Sequence, residues 1–394
     1  LPFVISGAIP NFTYALFETV SGFTTTGASI LKDVEILPKG LLFWRSFTHW
    51  IGGMGVLVFL VAILPLSGGN NFYLIKAESP GPSVSKLVPK IKSSAKWLYG
   101  MYILLTVLQI LLLLGGGLNL FESLTLSFGT AGTGGFAIKN SGIADYSSYV
   151  QNVITIFMII FGIDFTFYYL LISKRAKEAF KLEEVRMYLG IILTAVILIT
   201  INCHGLYKSI FENLKHSAFQ VASIITTTGY STVDFDLWPE FSKTILIILM
   251  FVGACAGSTG GGMKVSRIMT LFKSIIKEIK IAAHPKSTHK ITINGRSVGH
   301  EVIRAINVYI AAYFVIFVLS VLLISVDNFN FTTNFTAVAS AMNNIGPGFA
   351  EVGPTRNFSL YSQFSTVVLT LDMLVGRLEI FPVLILFSPY TWKR

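Results

Sequence analysis

At 394 residues, with 53% hydrophobic and only 13% charged side chains, the chain lies far from a soluble globular composition, in which about 25% of residues are charged. Its net charge of +10 would suit nucleic acid, but the basic residues sit in links between particular apolar runs and form no aromatic-interleaved patch. The two cysteines, Cys203 and Cys255, have no CxxC or Cys/His spacing and so offer neither a disulfide framework nor a zinc site.

In chain order, the opening LPFVISGAIP reads as the tail of an earlier helix, so an N-terminal truncation is expected, and no secretory signal peptide is visible. Runs long enough to cross about 30 Å of hydrocarbon then follow. They cover Leu41 to Leu66, Trp97 to Leu118, Tyr149 to Ile172, Tyr188 to Tyr207, Ser242 to Leu271, Val302 to Val326 and Phe364 to Phe387, seven spans in all. About 21 of the 30 lysines and arginines fall in Lys76 to Lys96, Lys174 to Arg186, Lys264 to Arg304 and the terminal Lys393 and Arg394, which are therefore assigned to the cytoplasmic side. The other links are net acidic and face outward.

Each outer link is too long for a loop and carries the same pattern: a short apolar segment, then a polar stretch with a glycine. The segments are Phe12 to Val20, Leu120 to Phe128, Ile210 to Ser223 and Phe331 to Ala341. Ten residues of helix cover about 15 Å, half a bilayer. Aligned on Gly27, Gly134, Gly229 and Gly346, the stretches read SGFTTTGAS, FGTAGTGGF, SIITTTGYS and SAMNNIGPG. Extended backbone at membrane depth is tolerated only where protein buries it or it lines a cavity. Four such returns around one axis make a pore, whose carbonyls can replace the hydration shell of an alkali cation. The half-helices are expected to point their partly negative C-terminal ends at the centre. An ordinary outer turn is the competing account of any one cluster.

The motifs FETVSGFTTTGAS, WIGGMGVLVFLVAILP, AESPGP, FGTAGTGGFA, GACAGSTGGGMKVSRI, MNNIGPG and GRLEIFPVLILFSP, spread along essentially the whole chain, resemble the TrkH family. Its members are the membrane subunits of bacterial potassium uptake systems within the Trk/Ktr/HKT superfamily. The resemblance implies an all-α integral membrane fold of four potassium-channel-like M1-P-M2 repeats around one pore, here with the N-terminal helices and the first M1 absent. The repeats would be residues 1–75, 76–180, 181–290 and 291–394. It further implies a multi-pass protein of the bacterial cytoplasmic (inner) membrane and a homodimer whose protomers conduct separately. By position, the potassium filter would comprise Thr24, Thr25, Thr26 and Gly27; Ala131, Gly132, Thr133 and Gly134; Thr226, Thr227, Thr228 and Gly229; and Asn343, Asn344, Ile345 and Gly346. Serine at the first glycine accompanies sodium permeation in the plant branch, so Gly27 favours potassium.

Gly253 to Lys264, GACAGSTGGGMK, should break its span, and it fails as a Walker A motif because Met263 precedes Lys264 and Val265 follows. A packing hinge is one reading. Position and resemblance favour a gate beneath the filter, formed by Gly253, Gly257, Ser258, Thr259, Gly260, Gly261, Gly262 and Lys264. Arg377 lies inside the last apolar run, where it forms a salt bridge to Glu379 or Asp372 or, as the resemblance implies, projects into the pore as an electrostatic barrier. Asp164 and Asp372 are proton relays or packing anchors, and His49 and Trp50 are interfacial or packing residues. The N-x-[ST] matches at Asn11, Asn330, Asn334 and Asn357 carry no glycosylation meaning in a bacterial protein.

The basic linker Lys264 to Arg304 has lysines between helically spaced apolar residues, then a short hairpin around INGR. It is either a face toward anionic lipid or a dock for a cytoplasmic partner, which the resemblance specifies as a TrkA-like ring of nucleotide-binding subunits. No nucleotide is expected on this chain; ATP or NAD belongs to that partner. No catalytic constellation is visible, so an enzyme is disfavoured. A potassium-selective pore is the leading function and a potassium symporter coupled to protons or sodium the alternative, although parallel repeats fit a symporter poorly.

Overall fold

The computed structural model describes residues 2–55, 91–285, 289–386 and 388–389. The second half of the expected first span, the AESPGP motif, most of the basic segment from Lys76, and Lys393 and Arg394 lie outside the described residues. The helices are α1 Pro2–Ile5, α2 Phe12–Phe23, α3 Lys39–Gly53, α4 Ile91–Gly115, α5 Leu120–Ala131, α6 Ser148–Phe161, α7 Phe165–Ile172 and α8 Ala176–Ala179. They continue with α9 Glu183–Asn202, α10 Ile210–Ile225, α11 Glu240–Val252, α12 Val265–Ala283, α13 His300–Ile324, α14 Phe331–Asn343, α15 Gln363–Arg377 and α16 Ile380–Leu386. The hairpin expected around INGR is present: β1 Thr292–Ile293 pairs antiparallel with β2 Arg296–Ser297.

Among the described residues, Trp97–Gly115, Glu183–Asn202 and His300–Asp327 are long and apolar enough to cross a membrane unbroken. Their outer faces carry exposed leucine, isoleucine and valine at helical spacing: Leu104, Leu108 and Leu111 on α4, Leu193, Ile197 and Ile201 on α9, and Val315, Leu319 and Leu322 on α13. Such stripes have no partner in water and suit lipid. Other expected spans are interrupted. The run Tyr149 to Ile172 bends by 90° between α6 and α7. The run Ser242 to Leu271 is split into α11 and α12 by the glycine-rich stretch, and the last run ends its first helix at Arg377 and resumes at Ile380.

The four half-helices α2, α5, α10 and α14 lie where expected, and each runs two or three residues farther toward its glycine than the apolar pattern suggested. Their starts share one chemistry. The side chains of Asn11, Asn119, Ser209 and Asn330 each accept a hydrogen bond from a backbone N–H in the first turn. A half-helix begun inside a protein must satisfy its free N–H groups, and an Asn or Ser cap does so. The sequons at Asn11 and Asn330 thus arise from capping.

The half-helices form the centre of the molecule. Val221, Ile224 and Ile225 of α10 and Ala337 to Ala341 of α14 are buried. The full-length helices pack around them: α2 against α3 and α15, α5 against α3 and α4, α10 against α9, α6 and α11, and α14 against α15 and α13.

Candidate functional site: a ring of four backbone returns

Each half-helix ends in the same backbone device. Thr25, Thr133, Thr227 and Asn344 take left-handed φ values of +54° to +59°. The next residue's N–H then reaches back into the helix: Thr26 to Ser21 O, Gly134 to Gly129 O, Thr228 to Ser223 O and Ile345 to Ser340 O, at 2.9 to 3.0 Å. This is a Schellman-type ending, in which a left-handed residue lets the following N–H satisfy a terminal carbonyl. Glycine usually fills that position; three threonines and an asparagine fill it here.

This shared geometry corrects the alignment of the second repeat. Counting from the left-handed residue, the partner of Gly27, Gly229 and Gly346 is Gly135, not Gly134, and all four have positive φ, from +74° to +105°. Contacts between repeats agree. A Cβ on Gly27 would fall 1.9 Å from Gly134 O, one on Gly135 1.9 Å from Thr228 O, one on Gly229 2.0 Å from Ile345 O, and one on Gly346 2.8 Å from Thr26 O. Each repeat's glycine therefore abuts the carbonyl of the next, and the fourth closes on the first. No side chain fits between them. The equivalent stretch in repeat two is Gly132, Thr133, Gly134 and Gly135, with Ala131 the last residue of its helix.

Side chains behind the ring hold its spacing. Ser21 Oγ donates to Ala28 O at 2.6 Å, Ser223 Oγ to Tyr230 O at 2.5 Å and Ser340 Oγ to Gly346 O at 2.6 Å. Gly129 holds that register position in repeat two, and the Tyr230 hydroxyl fills its space, with a Cβ there only 2.2 Å from it. That hydroxyl lies 3.5 Å from Phe136 O, replacing the missing serine from the neighbouring repeat. The Thr24 and Thr26 hydroxyls pair at 2.8 Å, as do those of Thr226 and Thr228, and Asn344 Nδ2 donates to Thr26 Oγ1 at 3.0 Å. His49 is buried and stacks on Phe136 at 4.2 Å, while Trp50 stacks on Tyr102 at 5.5 Å, so both are packing residues.

The stretch from Gly253 to Lys264 lies directly against the ring. Gly261 N donates to Thr227 Oγ1 at 2.6 Å and Thr133 Oγ1 to Thr259 O at 3.0 Å. A Cβ on Gly261 would meet Asn343 O at 2.6 Å, and one on Gly260 would meet Thr226 O at 3.0 Å. The bend between α6 and α7 receives the stretch from the other side. Ending α6 at Phe161 frees carbonyls, and Cys255 N donates to Gly162 O at 3.1 Å while Thr259 N donates to Phe161 O at 3.3 Å. Gly257 O in turn accepts from Phe165 N at 3.0 Å, and Ser258 Oγ donates to Cys255 O at 2.6 Å. Gly253, Gly257 and Gly262 adopt positive φ, as does Lys264, whose buried Nζ donates to Gly260 O.

Arg377 reaches this stretch from α15. Its Nη1 donates to Thr259 O at 3.0 Å and its Nη2 to Gly52 O at 2.7 Å and Gly53 O at 3.1 Å. The expected carboxylates are engaged elsewhere: Glu379 with Arg267 at 2.5 Å and Asp372 with Ser320 Oγ at 2.7 Å. Asp164 caps α7, accepting from Thr166 N at 2.8 Å. Two functional candidates escaped the sequence analysis. Glu184 accepts from Ala256 N at 2.6 Å and Ser266 N at 3.1 Å, clamping both ends of the glycine-rich stretch. Glu18 and Arg45 form a buried ion pair at 2.9 Å beside the first return. The signal for Glu18 was a carboxylate inside a short apolar helix; its partner was not readable from sequence.

The family profile of TrkH, described as a cation transport protein, matches residues 1–393. The Trk system potassium uptake protein TrkH of Salmonella typhimurium is 37% identical over 401 aligned residues, covering 100% of this chain and 82% of that protein. The Trk system potassium uptake protein TrkG of Escherichia coli is 34% identical over 97% of the chain and 79% of its own length. The crystal structure of the potassium transporter TrkH from Vibrio parahaemolyticus superposes with a TM-score of 0.87 at 33% identity, covering 100% of this chain and 82% of that one. With its ring of four half-helix returns, the chain belongs to the TrkH family of cation transport proteins.

Proposed function

We propose that this chain is the ion-conducting membrane subunit of a bacterial potassium uptake system, selective for potassium and residing in the cytoplasmic membrane. The observation that carries the reading is the closed ring in which each positive-φ glycine abuts the next repeat's carbonyl. Four returns at one register bring the carbonyls of Thr26, Gly134, Thr228 and Ile345 together without intervening side chains, as dehydrating a cation by backbone oxygens requires. The C-terminal ends of α2, α5, α10 and α14 converge there, adding partial negative charge. The chain then divides into repeats near residues 1–75, 76–180, 181–290 and 291–394. The filter comprises Thr24 to Gly27, Gly132 to Gly135, Thr226 to Gly229 and Asn343 to Gly346.

In this reading the stretch Gly253 to Lys264 is the gate. Its hydrogen bonds to Thr133 and Thr227 and its tie to Arg377 support a closed position under the filter. The basic surface of α12 and the hairpin, with Arg296 and Lys280 exposed, suits docking of a ring of nucleotide-binding subunits, on which ATP or NAD would act. The family likeness supports a homodimer with one pore per protomer. Monovalent-ion density on the axis beside Gly27, Gly135, Gly229 and Gly346 in potassium-soaked crystals is the expected result, and its absence overturns the filter. Reversal potentials that follow potassium alone support a pore, whereas a shift with proton or sodium gradients establishes coupled symport.

A further inference from the structure

We infer that the buried pair Glu18–Arg45 is a selectivity-positioning device that braces the junction between the first and second filter quarters; this rests on the filter reading above. Glu18, on the half-helix α2, accepts from Ile30 N at 3.1 Å and from Ser29 Oγ at 3.0 Å, both on the return that follows Gly27. Arg45, on α3, donates from Nε to Glu18 Oε1 at 2.9 Å and from Nη2 to Ser29 Oγ at 3.3 Å. Its Nη1 crosses into the next repeat and donates to Ala137 O at 3.3 Å, while the guanidinium lies 3.9 Å above the Phe136 ring. Phe136 directly follows the filter glycine Gly135. One guanidinium therefore grips the returns of two quarters, and one carboxylate holds it in place.

The pair stands at the junction that most needs support. At the other three junctions the carbonyl facing the neighbour's glycine belongs to Thr26, Thr228 or Ile345, each fixed by a buried side chain. At the first junction it belongs to Gly134, whose missing side chain makes room for the His49 ring, 2.3 Å from where a Cβ would be. Glycine meets glycine there, so the local backbone has the greatest freedom. The charge is specific to this quarter: the residues at the register of Glu18 in the other half-helices are Leu126, Gln220 and Ala337. Arginine suits the task because its planar fork serves several acceptors and an aromatic face at once, which a lysine ammonium cannot do.

The test is rubidium and sodium flux in proteoliposomes, normalised to reconstituted protein, for Arg45→Lys and Glu18→Gln, with Gly27→Ser as reference. Arg45→Lys keeps the charge but loses the fork, and Glu18→Gln keeps an acceptor for Ile30 N. Both are expected to lower rubidium-over-sodium discrimination about fivefold while rubidium flux stays within about twofold. A purely structural pair would lower both fluxes together and leave their ratio unchanged; that result, with Gly27→Ser still altering the ratio, overturns the inference. An unchanged ratio in Gly27→Ser itself overturns the filter reading instead. Should either variant fail to insert, Phe136→Leu, which removes only the ring under the guanidinium, carries the same expectation and the same refutation.

Discussion

Thr25, Thr133 and Thr227 hold a left-handed backbone that β-branched residues rarely adopt, with strain of about 1–3 kcal/mol each where surroundings enforce it. Two of them explain why glycine does not stand there: the Thr133 hydroxyl donates to Thr259 O and the Thr227 hydroxyl accepts from Gly261 N. The strain is retained because the side chain links ring to gate. Thr227→Val keeps the shape and leaves the Gly261 N–H without its acceptor, a loss of about 1–3 kcal/mol in anchoring. Backbone hydrogen exchange across residues 253–264 should accelerate; unchanged protection would separate the stretch from the ring. Arg45→Ala leaves Glu18 as a buried, uncompensated charge and should destabilise the fold by about 3–5 kcal/mol. The melting temperature of the detergent-solubilised protein reads this, and a wild-type value would show that Glu18 finds another partner.

At the scale of elements, the function depends on helices that stop early. The half-helices end at a left-handed residue, α6 ends at a bend, and the helix after α11 is delayed by a stretch with several glycines. Each ending leaves carbonyls that another segment must satisfy, and these demands interlock. The α6–α7 bend takes N–H groups from the glycine-rich stretch, which also binds the ring and Arg377. Removing the arginine takes away both a positive charge near the pore and a tie between α15, the end of α3 and the gate. Arg377→Ala is therefore expected to raise cation flux through proteoliposomes severalfold, and unchanged flux would count against both roles.

At the scale of the whole molecule, the ring exists only when all four quarters are assembled, so an ion held there stabilises the folded state alone. Potassium at about a hundred times its dissociation constant would add about 2.7 kcal/mol. The melting temperature should rise with potassium at constant ionic strength, rise less with sodium, and lose this dependence in Gly27→Ser. Equal responses to both ions would show that the ring does not discriminate. The sequence by itself determined the membrane class, the four short segments and the polar stretch after each, because composition, helix length and left-handed turns are local properties of a few neighbouring residues. It also marked the glycine-rich break and Arg377, since glycine runs and intramembrane charge are anomalies visible without a fold. Only the tertiary structure decided that Gly135 and not Gly134 stands in the ring, because GTGGF contains two adjacent glycines and the choice lies in the Thr228 carbonyl of another repeat. The acceptors of Arg377 on α3 and the partner of Glu18 were decided in the same way, for hydrogen bonds between distant segments follow from how the quarters close and not from any residue's neighbours in the chain.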